Sequence, residues 1–295
     1  MQNDKQDLTQ SVLVTGCSTG FGMETALYLA ERNFQVYASM RNLTQKNVLL
    51  EKAAQRQVNL RVLQLDITDQ HSIEHAVRQV VAEAGGIFGL VNNAGVFVRG
   101  FFEDVSEDEI WQVFEPNLFG TMALTRAVIP HMRAVHRGRV VIVTSVAGRI
   151  GSPTGSVYAA SRFAQEGFGE SLYQELAPLG VQVVLVEPGM TKTEHYGISD
   201  QGVAVHAKDP SSPYFRWFTR ANQLFNQTMD TSPIKTSDVA KVIYQALNVR
   251  RPRLRYLVGR RASFVLGLRR YIPGEVFERI YFSAIMNRIT RGKDI

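Results

Sequence analysis

The chain has 295 residues, 45% of them hydrophobic and 20% charged, the balance of an ordinary globular protein long enough to bury a large core without staples. Its net charge of +6 is concentrated at one end, since residues 250–295 carry 12 Lys/Arg against 3 Asp/Glu and the remainder is slightly acidic. No zinc knuckle, basic-aromatic repeat or recognition-helix pattern accompanies that excess, which argues against nucleic-acid binding. A single cysteine, Cys17, excludes an intramolecular disulfide and fits a reducing compartment. No apolar run reaches about 18 residues, and the polar start MQNDKQDLTQ does not fit a signal peptide, so the expectation is a cytoplasmic protein. No metal is expected.

In chain order, short β-branched runs alternate with helical stretches. Strands are predicted at SVLVT (11–15), FQVYAS (34–39), NLRVLQL (59–65), IFGLVN (87–92), GRVVIVTS (138–145) and VQVVLVEP (181–188). Each is a continuous apolar run, as parallel strands covered on both faces require. Helices are predicted near 21–32, 44–56, 70–84, 107–134 and 157–178, with Ser106 and Glu109 forming a capping box before the fourth. This alternation predicts an α/β fold, a doubly wound and mostly parallel Rossmann-like sheet with helices on both faces. Residues 194–232 lack clear periodicity and read as a lid or loop. A helix capped near Ser237/Asp238 and a strand at RYLVG (255–259) then close a single domain spanning 1–259, and 260–295 reads as a basic amphipathic extension.

The stretch VLVTGCSTGFGMETALYLAERN places Gly16, Gly20 and Gly22 directly after the first strand and at the mouth of a helix. Glycines there let backbone N–H groups approach a pyrophosphate at the positive end of the helix. An NAD site wants a carboxylate roughly 20 residues beyond such a loop, whereas an NADP site wants arginine for the 2′-phosphate. The second strand ends VYASMRN, with no acid and with Arg41 just past its end, so the expected cofactor is NADP(H). A solvated loop arginine is the alternative reading of Arg41.

Hydride transfer to a ketone leaves an alkoxide that needs a proton, and the reverse reaction needs a base. Tyrosine serves both when a neighbouring cation favours its phenolate. Tyr158 and Arg162 lie four residues apart, on one helical face. Ser145 ends the fifth predicted strand, so both Ser145 and Tyr158 project from the carboxyl edge of the sheet, where ligands bind in such folds.

TGxxxGxG at 15–22, LDIT at 65–68, NNAG at 92–95, PNLFG at 116–120, Ser145, Tyr158 and PGMTKT at 188–193 occur in the order of the short-chain dehydrogenase/reductase family, which the chain resembles from about 11 to 193 and more weakly to about 259. TGCSTGFG, VYASMRN and the long extension look most like its hydroxysteroid and retinol dehydrogenase branch. The resemblance implies that Gly16, Ser18, Thr19, Gly20, Phe21 and Gly22 hold the cofactor's phosphates. Asp66 and Ile67 would flank the adenine, although Asp66 reads equally well as a helix-initiating residue at a strand end. Asn93, Ala94 and Gly95 would pass the adenosine ribose, Thr193 would help hold the nicotinamide amide, and Pro188, Gly189 and Thr191 would also contact the cofactor. Asn117, Ser145, Tyr158 and the cation at 162 would form the catalytic group, the last two also touching cofactor.

Position 162 departs from that pattern. The family's lysine favours the phenolate, holds the ribose hydroxyls and passes protons along a water chain. Arginine keeps the charge and the donors but stays protonated and is broader. Halohydrin dehalogenases, similar in fold, use serine, tyrosine and arginine at this same spacing and no nicotinamide. They carry an aromatic at the position of Gly20, whereas here Phe21 is one place later. The reading is therefore an NADP(H)-dependent oxidoreductase. Dehalogenase-like chemistry, or an NADP-binding protein with weak or no turnover, stands as the alternative.

Six aromatics in 194–232 (Tyr196, Tyr214, Phe215, Trp217, Phe218 and Phe225) suggest a bulky, apolar ketone, aldehyde or alcohol as substrate, or else ordinary core. The tail alternates arginine pairs with apolar clusters, and two helices broken at Pro273–Gly274 account for it. Peripheral contact with an anionic membrane, or packing on the body or on a second subunit, would suit it. The resemblance also implies a homodimer or homotetramer built on helices 107–134 and 157–178, with Phe163, Phe168 and Leu172 suited to that face.

Overall fold

The computed structural model of the protein describes residues 10–191 and 202–291. The first half runs β1 (Ser11–Val14), α1 (Gly20–Ala30), β2 (Gln35–Met40), α2 (Lys46–Gln55), β3 (Arg61–Gln64), α3 (Gln70–Ala84), β4 (Gly89–Asn92), α4 (Glu107–Phe114) and α5 (Thr121–Ala134). The second runs β5 (Gly138–Val143), α6 (Ser156–Leu176), β6 (Val181–Pro188), α7 (Phe215–Asp230), α8 (Thr236–Asn248), β7 (Arg255–Val258), α9 (Arg260–Tyr271) and α10 (Gly274–Arg291). Among the described residues the strands form one sheet in the order β3-β2-β1-β4-β5-β6-β7, and every neighbouring pair is parallel.

The strand sequences explain this arrangement. Every residue of β1, β4 and β5 is buried, which their Val/Leu/Ile runs permit and an alternating strand would not. Only β3, at the sheet edge, is largely exposed. Alternate side chains feed two apolar layers. Val12 and Val14 pack with α1 and α8 residues such as Leu27, Leu29 and Ile243, whereas Leu13 and Leu90 pack with Ile73, Leu124 and Leu172 on the opposite face. Strand order reverses between β1 and β4, and such a reversal opens a crevice at the carboxyl ends of the strands. Among the described residues no helix is long and apolar enough to cross a membrane.

Several expectations need correction. The helix expected over 107–134 is two helices joined by a π turn at Glu115–Gly120. Pro116 in that turn lacks an N–H, and the wider turn re-aims the backbone at Asn117. The predicted capping box is present, with Glu109 Oε2 accepting from the Ser106 backbone N–H at 2.9 Å. Near the second predicted cap, Asp238 Oδ2 accepts from the Lys235 backbone N–H at 3.0 Å, and Ser237 takes no part. Residues 215–230 form helix α7, not a loop. Their apolar positions Phe218, Ala221, Phe225 and Met229 recur at helical spacing, and Phe218 joins a third apolar cluster with Val105, Val113 and Val157. Leu172 is buried in the central core and Phe168 packs against it, so of the three residues proposed for a subunit face only Phe163 is exposed.

The tail does form two helices, parted at Ile272–Pro273. The α10 helix packs on α7, and Arg220 Nη1 donates to the Ile289 and Thr290 carbonyls at 3.3 Å each, which satisfies the end of α10. Phe277 and Ile289 are buried, whereas Phe264, Tyr271 and Ile280 remain exposed.

Candidate active site

A cleft of about 640 Å³ lies at the strand reversal. Its walls come from successive strand ends: Thr15 to Phe21 after β1, Met40 and Arg41 at β2, Leu65 to Thr68 after β3, Asn93 to Val98 after β4, and Val143 and Thr144 at β5. Gln112 of α4, Glu115 and Pro116 after it, Gly202, and Tyr158 and Arg162 of α6 complete it.

The loop between β1 and α1 is held in shape by its neighbours. Thr15 Oγ1 accepts from the Asn93 and Ala94 backbone N–H groups, both at 2.9 Å. Asn93 Nδ2 donates to the Thr15 carbonyl at 2.8 Å and to that of Gly16 at 3.3 Å. A side chain at 22 would not fit, because a Cβ there would lie 2.2 Å from the Gly16 oxygen. The loop therefore folds tightly on itself, leaving the N-terminal end of α1 beside the cleft, where backbone N–H groups and the helix dipole suit a phosphate. Burial pushes the Cys17 thiol up to about 12, and its sulfur donates to the Val14 carbonyl, so it serves as packing.

Of the predicted cofactor residues, Gly16, Ser18, Thr19, Gly20, Phe21, Arg41, Asp66, Ile67, Asn93, Ala94 and Gly95 line the cleft, and Arg41 is exposed at its rim. Asp66 lines the cleft but does not start the helix that follows, which Asp69 caps. Its Oδ1 accepts from the Thr68 backbone N–H at 2.9 Å and from the Thr68 hydroxyl at 2.7 Å. Gly22 braces the loop from behind. Pro188, Gly189 and Thr191 lie off the cleft wall: the Gly189 N–H donates to Val258, and the Thr191 hydroxyl donates to the Gly189 carbonyl at 2.9 Å. Thr193 lies outside the described residues, as does Tyr196.

Tyr158 is half-buried at the cleft wall, with the Phe97 ring edge-on at 6.3 Å between centroids. The guanidinium carbon of Arg162 lies 4.9 Å from the Tyr158 ring centroid. Arg162 itself is only 6% exposed. Its Nη1 donates to Gln165 Oε1 at 2.6 Å and to the Val143 carbonyl at 3.2 Å. Its Nε is buried without a hydrogen-bond partner. Gly95 makes room for this group, since a Cβ there would lie 2.7 Å from Arg162 Nη2 and 2.9 Å from Asn117 Oδ1.

Asn117 is fully buried behind the cleft wall. Its Oδ1 accepts from the Val96 N–H at 2.8 Å, and its Nδ2 donates to the Val96 carbonyl at 2.9 Å and to Ser161 Oγ at 3.0 Å. Every part of that amide is used to hold the 93–98 strip against α6. Ser145 is half-buried at the start of a short turn, where its Oγ accepts from the Ala147 N–H at 3.1 Å and keeps its own proton available. It lies beside the cleft lining, not within it.

Behind Ser145 sits an ionic cluster. Thr144 Oγ1 donates to Glu166 Oε1 at 2.6 Å, Arg255 Nε donates to Glu166 Oε2 at 3.0 Å, and Arg149 Nη1 donates to Glu187 Oε1 at 3.0 Å. Burial, reinforced by the nearby Glu166 carboxylate, pushes the Glu187 carboxyl above its usual range despite Arg149 and Arg255.

The lid aromatics are mostly spent on each other. Tyr214 stacks on Phe101 at 5.0 Å, Trp217 packs against both at 6.2 Å, and Phe225 carries the Arg99 guanidinium over its ring at 3.9 Å. Among the described residues none of these aromatics lines the cleft, whose apolar wall near Tyr158 is Val96, Phe97 and Val98.

Two structural residues escaped the sequence reading, Phe97 and Gln165, and Thr15 entered it only as the first residue of the TGxxxGxG motif. Helical spacing held a signal for Gln165. The buried face of α6 runs through Arg162, Gln165, Glu166, Gly169, Leu172 and Leu176, so a glutamine three residues beyond the arginine had to face inward.

The sequence model of the short chain dehydrogenase family matches residues 10–202. Retinol dehydrogenase 8 of Bos taurus is 36% identical over 92% of this chain and 89% of its own length. The 17-beta-hydroxysteroid dehydrogenase type 1 of Homo sapiens is 34% identical over 88% of this chain and 80% of its own. A short-chain dehydrogenase from Streptomyces avermitilis superposes with a TM-score of 0.78 at 30% identity, covering 98% of this chain and all of the other.

Proposed function

The chain belongs to the short-chain dehydrogenase/reductase family, and on that premise we propose that it is an NADP(H)-dependent oxidoreductase interconverting a bulky apolar ketone or aldehyde with its alcohol. One observation carries this reading: the glycine loop, Tyr158 and Arg162 line a single cleft at the strand reversal. The loop closes tightly at Gly22 and brings Gly16 and Gly20 to the cleft beside Ser18, Thr19 and Phe21, a surface suited to a pyrophosphate. At the rim, the Arg41 guanidinium suits a 2′-phosphate.

A bound nicotinamide supplies or removes the hydride. The protein handles the proton and the orientation. Ser145 Oγ, which accepts from the Ala147 N–H, turns its own O–H toward the substrate carbonyl oxygen and polarises it. Tyr158 gives its phenolic proton to that oxygen as negative charge develops there, and takes it back in the oxidative direction. Arg162 complements the resulting phenolate as a permanent charge beside the ring. Asn117 holds the 93–98 strip, and with it Val96, Phe97 and Val98, against the catalytic helix. That apolar wall, together with the retinol and steroid named for the relatives, supports a lipid-like substrate.

The accessory features belong to the same proposal. Residues 1–259 form the catalytic unit. The extension 260–295 presents exposed Phe264, Tyr271 and Ile280 beside arginine pairs and touches anionic membrane surfaces. Exposed Trp111, Phe119, Met122 and Phe163 provide the face of a homodimer. The test is titration with NADPH and NADH, then turnover on a panel of apolar ketones and vicinal haloalcohols. NADPH binding with ketone reduction supports the proposal. Halide release without nicotinamide, or NADPH binding without any reduction, overturns it.

A further inference from the structure

We propose that Gln165 is a positioning residue that acts through Arg162, and that the pairing of arginine at 162 with glutamine at 165 is what lets a guanidinium serve as the cation of this site. The inference rests on the assignment of Tyr158 and Arg162 to the cofactor cleft.

Gln165 is 1% exposed, and a buried carboxamide is retained at a helix position only where both of its ends are used. Here they are. Its Oε1 accepts from Arg162 Nη1 at 2.6 Å, while its Nε2 donates to the Asn117 backbone carbonyl and, at 3.4 Å, to Thr121 Oγ1. Those partners belong to three different pieces of chain: α6, the π turn and the start of α5. The π turn aims the Asn117 carbonyl at α6, Gln165 reads that carbonyl, and its other end fixes the plane of the guanidinium 4.9 Å from the Tyr158 ring.

Arg162 has little else to hold it. Beyond Gln165, Nη1 has the Val143 carbonyl at 3.2 Å, and Nε has no hydrogen-bond partner. A buried guanidinium so sparsely satisfied depends on each bond it has, because an unpaired buried charge is costly. Gly95 walls in the opposite side, leaving the group one place to sit. With Nη1 bonded to Gln165 and the Asn117 carbonyl taken by Gln165, Arg162 acts as a fixed charge and relays no proton. Tyr158 then exchanges its proton with the open cleft.

The test is a double-mutant cycle in the full-length protein, read by fluorescence titration with NADPH and by steady-state reduction of an apolar ketone. Gln165→Leu removes both bonds at nearly constant volume. It is expected to weaken NADPH binding about tenfold and to lower kcat by a similar factor with the ketone KM within about twofold, as the loss of one hydrogen bond to a buried charge implies. In the Arg162→Lys background the same change is expected to alter NADPH affinity by less than about twofold, since the partner it positions is gone. Gln165→Glu keeps the acceptor for Nη1 and gives up the donor to Asn117, and it is expected to retain NADPH affinity within about threefold. Equal effects of Gln165→Leu in both backgrounds would overturn the inference, as would a Gln165→Glu protein that folds, by its circular dichroism and melting, yet binds NADPH as poorly as Gln165→Leu. If Gln165→Leu does not fold, the Gln165→Glu arm decides alone. A wild-type protein that binds no NADPH would instead sink the proposed function.

Discussion

Substituting Gly95→Ala probes the corner where Arg162 is seated. The added methyl would lie 2.7 Å from Arg162 Nη2 and 2.9 Å from Asn117 Oδ1, and neither neighbour is a free end. Asn117 Oδ1 is bonded to the Val96 N–H at 2.8 Å, and the guanidinium is tied to Gln165 and Val143. One of them must move, and overpacking of this kind costs about 1–3 kcal/mol. The position has an ordinary negative φ, so the penalty is steric and not conformational. Arg162→Lys removes Nη2, the nearer of the two obstacles, so the double variant should be more stable than the sum of the single changes by about 0.5–1 kcal/mol or more. Urea denaturation of the four proteins, followed by circular dichroism, measures this. A Gly95→Ala protein within about 0.5 kcal/mol of wild type, or strict additivity with Arg162→Lys, would refute the seating of the guanidinium against Gly95.

Other outcomes follow from the same geometry. Arg41→Ala should weaken NADPH binding about tenfold or more and leave NADH nearly unchanged, by competitive titration, because only the 2′-phosphate needs the guanidinium. The raised Glu187 carboxyl makes the folded protein hold a proton that the unfolded chain releases, so its contribution to stability is full at low pH and is lost as pH rises above the ordinary carboxylate range. Melting curves of wild type and Glu187→Gln across that range should therefore diverge, with wild type losing more on the alkaline side; parallel curves would contradict the buried ionic cluster. The Cys17 thiol, pushed up to about 12, should react with a disulfide reagent only at the rate of unfolding. Anionic vesicles should sediment the full chain, and Tyr271→Glu together with Phe264→Glu should release it.

The sheet was readable in advance because buried parallel strands are written as uninterrupted Val/Ile/Leu runs, and each predicted strand overlaps an observed one. The glycine loop was equally legible, since its residues touch backbone and are constrained locally. What escaped depends on contacts between distant segments. The π turn at Asn117 looks like ordinary helix until its carbonyl is seen bonded to α6. Helix α7 was hidden by its Arg, Thr and Asn content, although its apolar period is regular. Ser145 reads as a cleft residue from its place at a strand end, yet the turn it caps sets it beside the lining. Arg162 stood out as a departure. The residue that answers it, Gln165, drew no notice, because a glutamine in a helix reads as surface until its face is counted.

The central claim is that Tyr158 exchanges the proton in an NADP(H)-dependent carbonyl reduction. The most direct measurement is the oxidation of NADPH by wild type and by Tyr158→Phe in the presence of an apolar ketone, with NADPH affinity titrated in parallel. The account predicts that both proteins bind NADPH comparably and that Tyr158→Phe reduces the ketone at least about a hundredfold more slowly. Equal rates in the two proteins would contradict it.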